Sequence, residues 1–164
     1  MSSRTVLISG AGIGGPALAF WLKAAGYEPT LIERASTLRG GGYVIDFWGL
    51  GYDIAERMGL GAEINRVGYH IQEMRIVDDR GNRVAGLGIN ILNDLTGGRL
   101  VTLRRTDLWL LFEKIAHSTE VIFGNEIVGL EEEANCVRVQ FMHSGERRFD
   151  LVVGADGLIQ AYAD

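Results

Sequence analysis

Apolar positions change their period several times along this chain, and each change marks an element. Val6-Leu7-Ile8 is a short continuous apolar run that reads as a buried strand. Leu18, Trp21, Leu22 and Ala25 then recur at helical spacing and predict a helix with those four as its buried stripe. Pro16 falls in the first turn of that helix, where a missing N–H costs little, and Gly26 follows the last turn as a stop. Pro29 to Glu33 is a second strand. Arg34 to Gly42 has neither period and ends in three glycines, so it reads as a loop. Tyr43-Val44-Ile45-Asp46 is a short extended piece, followed by a helix from about Trp48 or Gly49 to Met58 that Gly59 stops.

From His70 to Ile89 the period becomes two, interrupted by a turn at Asp79-Arg80-Gly81-Asn82, which predicts a β-hairpin. Leu100 to Leu103 makes a further short strand. Thr106 is placed to cap a helix whose core positions are Leu108, Leu111, Phe112, Ile115 and Ala116. Glu120 to Phe123 returns to a strand, and the runs Glu126–Glu132, Val137–Met142 and Arg147–Val153 follow as an antiparallel meander with turns around Asn135 and Ser144-Gly145. The last run ends in Val153-Gly154-Ala155-Asp156-Gly157, an apolar strand stopped where an α/β sheet puts ligand-binding residues. The fold class is α/β, but the hairpin and meander do not belong to a simple βαβαβ nucleotide fold.

The chemistry is concentrated at the first turn. Gly10, Gly12 and Gly15 give G-x-G-x-x-G directly after the first strand and at the mouth of the first helix. The first glycine permits the sharp turn, the second leaves no side chain between backbone and a pyrophosphate, and the third allows close packing of helix on strand. The helix N-terminus then aims N–H groups and its positive dipole end at the phosphates. A glycine triplet alone is also what a flexible loop offers. Here a strand precedes it, a helix follows it, and Glu33 closes the second strand about 20 residues on, where a carboxylate accepts hydrogen bonds from a ribose hydroxyl. A carboxylate there repels a 2′-phosphate, so the ADP half of FAD or NAD is favoured over NADP at this turn. Arg34 and Arg39 are candidates to pair with phosphate, with solvated loop cations as the alternative. Asp46 either binds a cofactor hydroxyl or caps the helix that follows.

Composition narrows the class without changing the fold. The 164 residues suit one domain with a sizeable core; they are 47% apolar and 23% charged and contain no apolar run long enough to cross a membrane. Met1 to Arg4 has no signal-peptide character, which points to the cytoplasm. Net charge is −5 with scattered arginines, so neither nucleic acid nor an anionic membrane is an implied partner. Cys136 is the only cysteine, and His70, His117 and His143 lack ligand spacing with it, so no metal site is expected. No G-x-S-x-G elbow or Ser-His-Asp arrangement is visible. Catalysis, if present, falls to a cofactor.

Four features together give the chain a resemblance to a known family: Gly10-x-Gly12-x-x-Gly15 with Glu33-Arg34; Gly41-Gly42 before Ile45-Asp46 and the helix to Leu60; Leu103-x-Arg105-x-x-Leu108; and Asp150-Leu151-Val152-Val153-Gly154-Ala155-Asp156-Gly157. In that order, and over almost the whole chain, they resemble the N-terminal half of the FAD-dependent aromatic-ring monooxygenases, the group of para-hydroxybenzoate hydroxylase and the tetracycline-inactivating monooxygenase. The resemblance implies a Rossmann-like FAD domain of the glutathione-reductase type with a β-meander crossover, and residues 68–103 as a β insertion belonging to a substrate domain. It implies that Glu33 holds the adenosine ribose, Gly12, Ile13, Gly14 and Gly15 the pyrophosphate, and Arg105 the phosphate and ribityl region, with Arg104 pointing away. Arg34 and Asp46 join the cofactor-binding set, and Asp156 sits near the pyrophosphate and the reductant's path. NAD(P)H then reduces the flavin, O₂ reacts with it, and a bound small aromatic molecule is hydroxylated. Two departures stand out: Gln160 and Ala163 occupy places where the family has Ser and Arg, and the family's second Gly-Asp motif is missing. A truncated form that does not hydroxylate alone is therefore expected, with uncovered strands that favour self-association or a partner chain. A non-catalytic dinucleotide-binding module stands as the alternative. An NAD-dependent dehydrogenase is disfavoured by the meander.

Overall fold

The computed structural model describes residues 4–37, 43–115 and 118–157, with the side chain of Ile115 left aside. They fall into two compact units, residues 1–40 with 112–164 and residues 41–111.

The first unit is built on a parallel sheet of β1 (Thr5–Ser9), β2 (Glu28–Glu33), β7 (Glu120–Phe123) and β11 (Leu151–Gly154), in the order β11-β1-β2-β7. Every neighbouring pair in it is parallel. The two faces of this sheet are covered differently. Helix α1 (Gly14–Ala24) lies on the face carrying Val6, Ile8 and Leu31, where Ala19, Leu18 and Leu22 pack with Val121 and Val153. The opposite face, Leu7 and Ile32 with Ile122 and Val152, packs against a three-stranded antiparallel sheet of β8 (Ile127–Glu132), β9 (Val137–Phe141) and β10 (Gly145–Phe149) through Ile127, Val139, Phe141 and Phe149. Alternation along β1 thus sends Val6 and Ile8 one way and Leu7 the other, and both sides are apolar because both are covered.

Several expectations need correction. Trp21 is 43% exposed and stacks edge-on with Phe20 rather than joining the buried stripe. At about 100° per residue it lies roughly 200° round the helix from Ala19, which is fully buried. Ala25 is exposed as the C-cap, and Gly15, Pro16 and Ala19 are the residues that bring α1 down onto the sheet. The run Arg147–Val153 is two strands. It breaks at Asp150, whose carboxylate Oδ2 accepts hydrogen bonds from Thr5 N (2.7 Å) and Thr5 Oγ1 (3.0 Å), while Asp150 N donates to Thr5 O (3.1 Å). The chain leaves the antiparallel sheet as β10 and enters the parallel one as β11 at this point.

The second unit contains β3 (Val44–Phe47) paired antiparallel with β6 (Val101–Arg104), helices α2 (Gly49–Arg57), α3 (Gly61–Val67) and α4 (Ile89–Thr96), and the hairpin of β4 (Glu73–Val77) and β5 (Arg83–Gly88). Its core includes Tyr52, Ala55, Ile64, Leu92, Val101, Leu103 and Leu108. Gly59 follows α2 at φ 83°, as its stop role requires. Helices α3 and α4 are absent from the periodicity reading; each is under ten residues and offers too few turns for a pattern. Helix α5 (Arg105–Ile115) starts one residue before Thr106, which therefore does not cap it. Leu108, Leu111 and Phe112 are buried as expected, the division between units falling between the last two. Ala116 lies outside the described residues.

The Asp150 junction has a pH signature. Hydrogen bonds from the Thr5 amide and hydroxyl hold its carboxyl below the ordinary aspartate value. The contribution is present above the unfolded value of about 3.9 and is lost as pH falls through the lower folded one. Urea unfolding of the protein and of Asp150→Asn should differ by a constant amount above about pH 5, and the gap should narrow as pH falls below about 3.9. A gap unchanged across that range would contradict the clamp.

Candidate functional site

The glycine turn is shaped by contacts that leave no room for a side chain. Gly10 has φ 98° and donates its N–H to Ile32 O at 2.8 Å. A Cβ on it would lie 2.7 Å from Ala155 C and O and 2.9 Å from Asp156 Cα. A Cβ on Gly15 would lie 2.0 Å from Gly10 O and 2.9 Å from Leu31 Cδ2. Both glycines are thus demanded by backbone approach: the first by the Ala155-Asp156 segment and the second by the turn itself. Gly14 differs, since a Cβ there would meet nothing within 4 Å and the position faces open space. Ile13 is the N-cap of α1, offers no side-chain cap, and no acidic residue occupies the first turn. A helix start with neither a capping side chain nor a carboxylate has its partial positive charge available to an external anion.

Glu33 sits across this turn. Its Oε2 accepts from Ala11 N at 3.1 Å and its Oε1 from Ala35 N at 2.9 Å, so the carboxylate bridges the glycine turn and the loop after β2. A carboxylate has about four acceptor sites, so two such bonds leave capacity for a hydroxyl donor. Asp156 lies beside the same turn, its Oδ1 accepting a 2.9 Å hydrogen bond from Ser9 Oγ. Ser9 was not expected from the sequence; only its place just before Gly10 could have marked it. Arg34 is exposed at the end of β2, and among the described residues its guanidinium has no partner. Arg39 lies outside the described residues. Gly10, Gly12, Ile13, Gly14, Gly15, Glu33, Arg34 and Asp156 all belong to the first unit.

Asp46 and Arg105 belong to the second unit. Asp46 Oδ1 accepts from Thr102 Oγ1 at 2.5 Å across the β3–β6 pair. Helix α2 is N-capped by Trp48 without any side-chain bond, which removes the capping alternative for Asp46. The two arginines at the β6–α5 junction differ. Arg104 is committed to Asp107 by two hydrogen bonds of 2.8 and 3.0 Å, and that pairing raises its pKa further. Arg105 is half-buried and donates its backbone N–H to Tyr43 O at 3.3 Å; its guanidinium has no partner among the described residues. Elsewhere the described residues contain no group of three or more His, Cys, Asp or Glu that could hold a metal ion, and no helix long and apolar enough to cross a membrane.

Residues 3–161 match the family model described as FAD binding domain. A protein of Mycobacterium tuberculosis with no assigned function is 39% identical over 160 residues, covering 94% of this chain and 42% of its own length. A flavin-dependent monooxygenase of Legionella longbeachae is 31% identical over 163 residues, covering 95% of this chain and 40% of its own. The crystal structure of the tetracycline destructase Tet(55) superposes with a TM-score of 0.79 at 32% identity, covering 95% of this chain and 39% of that one. The chain therefore spans about two fifths of the length of the curated relatives it matches. An open helix start beside a carboxylate-bridged glycine turn fits the matching model, and the chain belongs to the FAD-binding domain family, corresponding to the N-terminal part of flavin-dependent monooxygenases.

Proposed function

We propose that this chain forms the FAD site of a flavoprotein monooxygenase that uses NAD(P)H and O₂ to hydroxylate an aromatic or polyketide-like small molecule. The observation that carries the reading is the turn itself: an α1 N-terminus open to an anion, with the Glu33 carboxylate spanning Ala11 and Ala35 beside it. A parallel sheet covered by α1 on one face and by β8–β10 on the other supports a Rossmann-like domain of the glutathione-reductase type.

In this reading the backbone of Gly12, Ile13, Gly14 and Gly15 receives the pyrophosphate, and Glu33 accepts hydrogen bonds from the adenosine ribose. Arg34 and Arg105 supply positive charge for the phosphates and the ribityl region. Asp46 and Asp156 offer carboxylate acceptors to cofactor hydroxyls. When bound, FAD supplies the redox chemistry that no side chain here provides. The overall balance is one O₂ and one NAD(P)H consumed with a proton, one oxygen atom entering the substrate and the other leaving as water. A polyketide-like substrate is supported by what the similar tetracycline destructase is named for. Residues 68–103 are assigned to the substrate side. The exposed apolar residues Ile76, Val77 and Val84 of its hairpin suit self-association or a partner chain. A cytoplasmic location completes the proposal.

Isothermal titration should show FAD binding to the 164-residue protein. Gly12→Val should abolish it by filling the approach to the phosphates, and Glu33→Ala should weaken it by about 1–3 kcal/mol, the scale of a lost charged hydrogen bond. Binding of NAD with no binding of FAD would overturn the assignment. At the β6–α5 junction, Arg105→Ala should reduce FAD affinity while Arg104→Ala, which only releases Asp107, should leave it near that of the parent protein. Equal affinities for the two variants speak against Arg105 as a cofactor ligand. For the reaction, a full-length protein containing this sequence, supplied with NAD(P)H and a panel of phenols and tetracyclines, should yield a product heavier by one oxygen atom in mass spectrometry. Nucleotide binding without any oxygenated product or NAD(P)H consumption would favour a non-catalytic binding module.

A further inference from the structure

We propose that Ser9 is a positioning residue for the cofactor site: it takes one oxygen of the Asp156 carboxylate and so reserves the other for a hydroxyl group of the bound dinucleotide. The inference rests on the FAD reading above and adds to it a residue that the glycine motif does not include.

Ser9 is the last residue of β1 and is flanked in the sheet by Gly154 on one side and Ile32 on the other. It is 7% exposed, one of three buried polar residues among those described. A buried hydroxyl costs free energy unless it is hydrogen-bonded, so its choice of partner is informative. Ser9 binds the segment after β11 twice: Ser9 O accepts from Ala155 N at 2.6 Å, and Ser9 Oγ donates to Asp156 Oδ1 at 2.9 Å. The first bond holds the backbone and extends the strand register by one residue. The second is spent on a side chain that is itself exposed and that β-sheet pairing does not require.

The backbone just before Asp156 is held by the Ala155 N–H bond to Ser9 O and passes so close to Gly10 that a Cβ there would lie 2.9 Å from Asp156 Cα. A hydrogen bond to one carboxylate oxygen then restricts the side-chain torsions of Asp156. A carboxylate beside a pyrophosphate site repels the phosphates, so its productive use is to accept from neutral hydroxyl donors of the same ligand. Holding Oδ1 on Ser9 gives Oδ2 a single direction in which to meet such a donor, and the ordering cost falls on folding rather than on binding. Among the described residues Oδ2 has no partner. Ser9 therefore acts on the ligand only through Asp156.

The test is a double-mutant cycle on FAD affinity, read by quenching of flavin fluorescence, together with thermal melting of each ligand-free protein. Ser9→Ala should weaken FAD binding about threefold to tenfold, the effect of losing one hydrogen bond, and Asp156→Ala at least as much. The double variant should bind no more weakly than Asp156→Ala alone, because Ser9 has no route to the ligand without the carboxylate. Ser9→Thr keeps the hydroxyl and should restore most of the affinity. If Ser9→Ala and Asp156→Ala weaken binding additively, or if the Ser9→Ala effect simply follows a lowered melting temperature, Ser9 is a structural residue and the inference is wrong. If Ser9→Ala binds FAD like the parent or more tightly, it is also wrong. A parent protein that binds no FAD would instead remove the functional reading on which the inference stands.

Discussion

The structure depends on one close approach: three stretches of backbone meet at Gly10 with no side chain between them. The N–H of Gly10 is tied to β2, Gly15 brings α1 down against its carbonyl, and Ala155 and Asp156 cross within 3 Å of where its Cβ would be. Strand order, helix placement and the position of the Asp-Gly segment all follow from satisfying this contact. Because the interior is close-packed, a methyl group here would move at least one of the three stretches, and each carries part of the candidate site. The geometry that brings three stretches of backbone together at Gly10 and the geometry that leaves α1 open at its start are therefore the same.

What could be read from the sequence follows from how local each signal is. The β1–turn–α1–β2 unit was legible because strand, glycines, helix period and Glu33 are consecutive and each constrains the next. The split of Arg147–Val153 at Asp150 was not, because the cause is Thr5 at the other end of the sequence. Apolar alternation alone reads straight through that point. Trp21 was misplaced because hydropathy counts it as core, whereas Gly15 and Ala19 bring the helix so close to the sheet that small residues take the contact. Helices α3 and α4 are too short for their period to rise above the residues around them.

The candidate site was legible in the same graded way. Glu33 follows from spacing, and its bridging of Ala11 and Ala35 explains why a carboxylate at the end of β2 also orders the turn it faces. The pairing of Arg104 with Asp107, one turn away, depends on a single local residue and is legible once Asp107 is read as its partner. Ser9 could not be found this way, since a serine at a strand end carries no pattern and its partner is 147 positions distant.

The pairing of β1 with β11 also bears on how the chain is made. Thr5 and Asp150 are 145 positions apart, so β1 cannot be flanked on both sides until nearly all of the described residues have followed it from the ribosome. Until then one edge of β1 is bare, and folding waits on a contact between distant ends. The entropy of closing so long a loop grows only as the logarithm of its length, each doubling adding about 0.6 kcal/mol. The stretch between the two strands can therefore lengthen or shorten at little cost to the closure. Residues 41–111 form a unit of their own within it, so length changes there that spare Asp46 and Arg105 leave the closure of β1 on β11 almost untouched.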